Sequence, residues 1–541
     1  MASKESASAW QPLTLPMFRR LWLAQVVSNL GTWMQTVAAQ WLIVSASGSV
    51  ALVSLVQTAS TLPVVLLAAP AGVLADVLDR RRVLVGVQLV MVGVAAVLAV
   101  MTFIGGVTPG VLLGFTFLLG CGAAFITPAW QAIQPELVPR TQLPQASALG
   151  AVNMNVARAI GPALGGALVA AAGAGWVFGL NALSFLVVAG AVASWRRQAV
   201  PDPVGRERMV AALRSGARYV RHSPAMRRIL IQSLLFVPAA SALWALLPVV
   251  ASQQLGLSAD GYGLLLGALG VGAVAGAVVL PTVRARLSVN ALLTVAFAVY
   301  AGTLVGIALL HSLLMAVLVL AVAGGGWIAV LSTLNATAQV MLPGWVRARA
   351  LSYYLVALMG GQALGGVVWG IVAERAGVRR TLLVAAALLA VATVAGRRFP
   401  LYDAARLDPT PSAHWPTPPV ADAVDPDAGP VLVVIGYVVR PGEGDAFATA
   451  MTVVSRARRR TGARRWELFR DPAEPDRFLE SFTVPTWGEH NRQHAGRLTV
   501  SDRRNEEKAR SFLLEAPVVR HLLAADVPLS AAPSGKSPPA K

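Results

Sequence analysis

The sequence predicts an all-α polytopic membrane protein, twelve transmembrane helices in two six-helix bundles, followed by a small C-terminal α+β domain. Three observations carry this. The 541 residues are 56% hydrophobic and 13% charged, with a mean hydropathy of +0.63, far more apolar than an average soluble domain. Twelve apolar stretches reach the roughly 20 residues that a helix needs to cross about 30 Å of hydrocarbon. Charge is uneven: residues 1–400 hold 26 Lys/Arg against 8 Asp/Glu, and residues 430–541 hold 18 against 13, so the chain contains two regions of different chemistry.

Residues 1–17 are a polar N-terminus, and the apolar segment after them is too long and too rich in Trp and Gln for a cleaved signal. The expected spans are 18–46, 50–75, 83–104, 109–131, 145–171 and 175–194, then 229–251, 262–282, 289–310, 313–340, 350–373 and 378–396. Cationic loops resist translocation, so their placement sets orientation. One side receives Lys4, Arg19, Arg20, Arg80 to Arg82, Arg140, nine residues in 195–228, Arg284, Arg286, Arg347, Arg349, Arg397 and Arg398; the other receives only Arg375, Arg379 and Arg380. Both termini are therefore expected on the cytoplasmic side of a plasma (inner) membrane.

The basic loop 195–228 separates bundles 18–194 and 229–398, and its stretch 206–221 is expected to form a basic helix on anionic headgroups. Gly161-Pro162-Ala163-Leu164-Gly165-Gly166 in span five recurs as Gly361-Gln362-Ala363-Leu364-Gly365-Gly366 in span eleven, a trace of duplication. Residues 399–429 are rich in Pro and Asp and read as a linker unable to pack. A domain at 430–525 follows. Alternation gives a strand at 431–439, an amphipathic helix at 444–461, a hairpin from 463–470 and 477–484, two short helices and an edge strand near 518–522. Residues 526–541 are expected to be disordered.

Composition also excludes function classes. A pI near 11.3 suggests nucleic acid, but the surplus lies in short runs between apolar stretches, without a continuous basic face. Cys121 is the one cysteine, so no disulfide framework exists. No Gly-x-x-x-x-Gly-Lys-Ser/Thr run is present, which removes direct ATP drive. What remains is an integral membrane protein, and its intramembrane polar and aromatic residues describe a cavity for a small molecule.

Several membrane residues are candidates for contact with that molecule. Gln25, Asn29, Thr32, Thr36 and Gln40 recur at steps of three and four, a polar stripe expected to face water. Asn153, Gln232, Asn335 and Gln362 add amides in other spans, and Trp33, Trp41, Trp244 and Trp327 add aromatic walls. For each amide, hydrogen bonding between helices is the competing role. Arg158 is the one clearly intramembrane charge. Two readings of it stand, contact with substrate in a cavity or snorkelling to the near interface. Together these groups suit an amphipathic organic molecule better than an inorganic ion.

Between spans two and three, Gly72-Val73-Leu74-Ala75-Asp76-Val77-Leu78-Asp79-Arg80-Arg81-Arg82 resembles the loop signature of the major facilitator superfamily, departing from it at Val77 and Asp79. The resemblance implies that Asp76 caps a neighbouring helix and pairs with Arg80 or Arg81, with Gly72 in the turn, as a cytoplasmic latch. Gly161, Pro162, Gly165 and Gly166 are similar to the motif of exporters in that superfamily. Glycine admits close helix contact and proline bends the helix, as a rocking hinge requires. Proton coupling is implied as well, yet no acidic residue sits in mid-membrane, so Asp76 or Glu136 would have to carry it.

In the tail, Trp487-Gly488-Glu489-His490-Asn491-Arg492-Gln493-His494 sets His490 and His494 one helical turn apart. Two histidines without a third ligand are a hydrogen-bonded or solvated helix face, so no metal and no cofactor is expected. The tail resembles the ferredoxin-like fold of the antibiotic-biosynthesis monooxygenases. That likeness implies self-association through the C-terminal domain and, as an alternative function, a cofactor-free monooxygenase. Spans and tail together resemble the transmembrane secretion effector branch of the major facilitator superfamily, which includes an enterobactin exporter. The resemblance implies export of a siderophore, secondary metabolite or drug; an importer of the same fold is the other alternative.

Overall fold

The computed structural model describes residues 10–195, 209–403, 407–416, 418 and 424–525. It divides into two compact units: residues 1–209, 225–339 and 351–402, and residues 210–224, 340–350 and 403–541.

The first unit is helical. Helices α1 (Pro16–Ser47), α2 (Val50–Val77), α3 (Arg80–Phe103), α4 (Pro109–Leu137), α5 (Leu143–Ala172) and α6 (Ala174–Ser194) form one half. After α7 (Met209–His222), helices α8 (Pro224–Val249), α9 (Ala259–Arg286), α10 (Val289–Leu309), α11 (Leu313–Met341), α12 (Arg347–Ala376) and α13 (Val378–Gly396) form the other. Starts carry their signals: Asp79 caps α3 by accepting from the Arg82 amide, and Thr108 and Ser288 cap α4 and α10 likewise. A single glycine with positive φ separates α5 from α6 (Gly173, φ 90°) and α12 from α13 (Gly377, φ 84°). Two equivalent junctions thus use the one residue that tolerates that backbone.

Among the described residues eleven helices are long and apolar enough to cross a membrane, rather than the twelve expected. The difference is α1. It has 32 residues, but Gln25, Asn29, Gln35 and Gln40 lower its apolarity. On α13, Val384, Leu388, Val391 and Val394 recur at helical spacing and are exposed, while Leu382, Ala385 and Leu389 on another face are buried. A helix that turns such a stripe outward has hydrocarbon as its solvent.

The second unit holds α7, strands β1 (Val431–Val438), β2 (Arg464–Arg470), β3 (Arg477–Val484) and β4 (Val518–Leu523), and helices α14 (Gly444–Thr461), α15 (Trp487–Arg492) and α16 (Val500–Arg510). The strands pair antiparallel in the order β2-β3-β1-β4. Val431, Val433, Ile435 and Tyr437 alternate into a core with Phe447, Met451, Val454, Phe478 and Phe482.

Two expectations about the flanking segments change. The stretch 399–429 was expected not to pack, yet Ser412 donates its amide to Leu498, and His414 and Trp415 reach Glu506. Proline keeps that chain extended, which leaves its Trp and His side chains free to lie on the domain. Nor is α7 only a headgroup helix: its Ser215 and Tyr219 are buried, Arg349 donates to Ser215 Oγ at 2.8 Å, and Tyr219 meets Trp345 edge to face at 5.9 Å. Arg214 and Arg221 stay exposed. Residues 526–541, expected to be disordered, lie outside the described residues.

Candidate functional site

The candidate site lies where the two halves of the helical unit meet. Trp33 of α1 stands 6.2 Å from Trp244 of α8, and Trp244 stands 5.5 Å from Trp327 of α11. Phe236, Phe297 and Tyr300 extend the cluster. Arg158 of α5 lies over the Trp33 ring at 5.6 Å, and its Nε is buried with no hydrogen-bond partner among the described residues. An unpaired buried donor costs about 1–3 kcal/mol, and substrate contact and snorkelling both stand as readings of Arg158. A guanidinium beside tryptophan faces suits a ligand with an anionic or hydrogen-bond-accepting group on an aromatic body. We therefore expect Arg158→Ala to shift the order in which competing substrates are transported; an unaltered order would favour snorkelling.

The amides of the predicted stripe are mostly engaged by other helices. Gln25 donates to Asn29 at 3.2 Å, Asn29 donates to Asn153 on α5 at 2.9 Å, and Asn153 donates to the Trp22 carbonyl. Gln40 is buried and accepts from Tyr262 of α9. Thr32 and Thr36 bond to carbonyls of their own helix. The expectation of a water-facing stripe fails at Gln40, which is buried, because polar groups in an apolar bundle pair across helices, while Asn29 is half-buried and pairs with Asn153. Gln362 accepts from Gln57 of α2 at 3.1 Å, Asn335 accepts from Gln339 at 2.9 Å, and Gln232 donates to the Gly396 and Phe399 carbonyls.

The glycine motif forms a seam on both sides of α5. A Cβ at Gly161 would lie 2.6 Å from the Trp33 Cβ, and one at Gly165 would lie 2.7 Å from the Met34 Cα, both on α1. On the other side, a Cβ at Gly166 would meet the Ala259 carbonyl and lie 2.9 Å from the Gly263 Cα on α9. The second half repeats the arrangement. Gly361 and Gly365 of α12 press on Val237, Pro238 and Ser241 of α8, and Gly366 presses on Ser54 and Thr58 of α2. Pro162 contributes its carbonyl, 2.5 Å from where a Cβ on Gly263 would sit. At the start of α2, Glu374 of α12 accepts the Ala51 amide at 2.9 Å, a carboxylate at a helix N-terminus.

Gly72 and Asp76 lie within the last turns of α2 and not in the turn between α2 and α3, because the helix continues to Val77, and the Asp76 side chain lies outside the described residues. Arg80 pairs with Glu136 of α4 at 2.7 Å. Arg81 donates to the Val192 and Ala193 carbonyls at the end of α6, a cationic cap on a helix C-terminus. Glu136 and Glu374 escaped the sequence reading as partners, since nothing in their spacing links them to Arg80 or Ala51.

The second unit carries a buried charge network. Arg458 of α14 reaches Glu480 of β3 at 3.1 Å and Glu506 of α16 at 2.5 Å. Tyr437 and Trp466 donate to Glu480, and His414 and Trp415 face Glu506 at 3.0 Å. Burial pushes the Glu506 carboxyl up, but the Arg458 guanidinium and the donors from His414 and Trp415 outweigh it and hold the group at about 2. Beside this network, Arg218, Arg221, Arg459, Arg464 and Arg465 line a basic cavity of about 470 Å³.

Residues 7–528 match the family described as transmembrane secretion effector. The chain is similar to the staphyloferrin A transporter of Staphylococcus aureus, 26% identical over 255 residues, 47% of this chain and 64% of that protein. It is also similar to the multidrug efflux pump Tap of Mycolicibacterium fortuitum, 26% identical over 390 residues, 69% of this chain and 91% of that one. Among solved structures, a bacterial homologue of the human lysosomal transporter Spinster, inward-facing and unoccupied, superposes with a TM-score of 0.56 at 16% identity, over 74% of this chain and 98% of that one. The family match runs through the C-terminal sheet, and the likeness to monooxygenases finds no support.

Proposed function

The chain belongs to the transmembrane secretion effector family, and from that membership we propose that it is a secondary active transporter exporting a small amphipathic organic molecule, such as a siderophore, secondary metabolite or drug. It works by alternating access, with two six-helix bundles rocking about Arg158 and its tryptophans, and it is coupled to protons. The observation that carries this reading is the pair of equivalent glycine seams, α5 on α9 and α12 on α2, each joining one bundle to the other. The relatives named above, one a siderophore-named transporter and one a multidrug efflux pump, support the substrate class. α1 is the twelfth crossing, and the arginine-rich end faces the cytoplasm.

Everted vesicles test direction. Imposing an inside-acid gradient should make them accumulate an added dye or siderophore, and accumulation only in right-side-out vesicles would refute export. In the same assay Asp76→Asn should lower the rate without lowering insertion, since the latch reading gives Asp76 a role in the cycle alone. Transport equal to the parent would remove the latch.

The C-terminal domain is read as ferredoxin-like, supported by its strand order β2-β3-β1-β4. Its open sheet face carries Phe469, Leu479, Val518 and Leu522, all exposed, which supports pairing of two copies sheet to sheet. Light scattering of the detergent-solubilised chain should give a dimer that Leu479→Glu dissociates; a monomeric parent would end that reading.

A further inference from the structure

The helix-covered side of the C-terminal sheet brings a third histidine to the two that the sequence had paired. His490 ends a turn of α15 and His494 follows four residues later, with Nε2 atoms 3.2 Å apart. His521 comes from β4, where its pairing with Val433 sets it on the same side of the sheet as the buried β1 residues. Its ring stands 4.8 Å from that of His490 and 6.0 Å from that of His494. One nitrogen from each of the three lies within 4.8 Å of the others. We propose that His490, His494 and His521 bind one divalent transition-metal ion of the zinc class, leaving a fourth position open.

Hydrogen bonding already fixes one ligand atom. The Thr461 hydroxyl donates to the Ala457 carbonyl at 3.0 Å, so it must accept from Gln493 Nε2, which stands 3.1 Å away. That orients the Gln493 amide with Oε1 toward His490 Nδ1, at 3.0 Å. The Nδ1 is therefore the protonated nitrogen, and Nε2 presents its lone pair to the cluster. A polar group that fixes the tautomer of a coordinating imidazole is the usual outer shell of such sites.

The spacing agrees with a bound ion. Nitrogens bound at about 2.0–2.1 Å in a tetrahedron lie roughly 3.3 Å apart. The His490–His494 spacing already meets this, and His521 needs a side-chain shift of about 1.5 Å at most. Arg458 is nearby, but Glu480 and Glu506 pair with it and offset its charge, and Arg510 and His414 also face Glu506. Burial, with smaller contributions from the neighbouring cations, lowers both His490 and His494 to about 4, and burial lowers His521, so all three are neutral ligands near pH 7. Trp487 and Trp415 flank the rings and shield the site from bulk water. Three imidazoles favour zinc, copper or nickel over calcium or magnesium. This inference stands apart from the transport reading.

The test uses the full chain in detergent, purified without a histidine tag and stripped with chelator. Titrated zinc(II) should bind at one equivalent per chain and raise the melting temperature of the second unit. Cobalt(II) should give the intense visible bands of a four-coordinate site. His521→Ala, at a half-exposed position, should weaken zinc binding by more than about tenfold, the lower bound set by losing even an outer-shell partner. His311→Ala, on a residue between α10 and α11, should change nothing. A parent chain that binds no zinc, a cobalt spectrum like that of the aquo ion, or equal zinc affinity in His521→Ala would overturn the assignment. The cobalt spectrum of the parent decides the matter even if a variant misfolds.

Discussion

Replacing Arg458 by methionine should destabilise the C-terminal domain by about 3–5 kcal/mol, the cost of removing one partner from a buried ion pair and leaving the other charged. Two partners are stranded here, Glu480 at 0% and Glu506 at 5% side-chain exposure. Methionine replaces the aliphatic stem but gives neither carboxylate a donor. Against a typical stability of about 5–15 kcal/mol, this is a large fraction. Calorimetry or protease sensitivity of the second unit should show a markedly lower midpoint. Replacing Glu480 and Glu506 by apolar residues in the same chain should recover much of it, since a buried ionic cluster is replaceable by hydrophobic groups where half a cluster is not. The sign with pH also follows. Glu506 sits at about 2 in the folded chain against an ordinary 4.5, so its contribution is full above about 4.5 and is lost as pH falls toward 2. The parent should lose stability across that window. In Arg458→Met the largest of the influences that hold Glu506 down is gone and only those of His414 and Trp415 remain, so acid should relieve the stranded carboxylates instead. An unchanged midpoint and an unchanged acid profile would show that the network contributes nothing.

That network illustrates what residue order conceals. The helices were legible because a segment in hydrocarbon must satisfy its own backbone, so a run of about 20 apolar residues suffices to announce it. The helix ends fall within a few residues of the expected spans, and α1 departs in apolarity because its amides serve neighbouring helices. In the second unit, alternation in 431–439 and the turn at 471–476 placed β1, β2 and β3 where they lie. What the strands face could not be read in the same way. Arg458, Glu480 and Glu506 sit on three different elements, and only the sheet order brings them together. His521 belongs with His490 and His494 for the same reason: its side of the sheet depends on the register of β4 against β1. Composition also misjudged 399–429, since proline-rich chain that cannot join a sheet can still lay His414 and Trp415 on one.

The glycine motif was legible as a place of close approach, but its partners were not, and they matter more for mechanism than the glycines themselves. Gly161 and Gly165 fix α5 to α1 within one half, whereas Gly166 faces α9 in the other. One six-residue motif therefore holds a helix to its own bundle and lets it abut the opposite one. The repeat in α12 does the same toward α8 and α2. If the bundles rock, contacts of the first kind persist and those of the second kind must open.

Gly166→Val should for that reason abolish most transport while leaving insertion intact. The valine Cβ would meet the Ala259 carbonyl and the Gly263 backbone, none of which is a side-chain end that can swing away. Overpacking of this kind costs about 1–3 kcal/mol, and here the cost falls only on the conformation in which α5 and α9 touch. A bias of that size changes the ratio of two conformations by roughly 5–150-fold. A carrier that must visit both conformations in each cycle should slow by about tenfold or more. Gly366→Val should act alike at the α12–α2 seam, while Gly86→Val, at an α3 glycine with nothing within 4 Å, should be silent. A spin-label pair introduced through Ala172→Cys and Ser258→Cys in a Cys121→Ser background, at the facing ends of α5 and α9, should report a longer separation in Gly166→Val than in the parent. Parental transport together with parental separation would mean that the seam is ordinary packing, and the rocking mechanism would lose the observation that carries it.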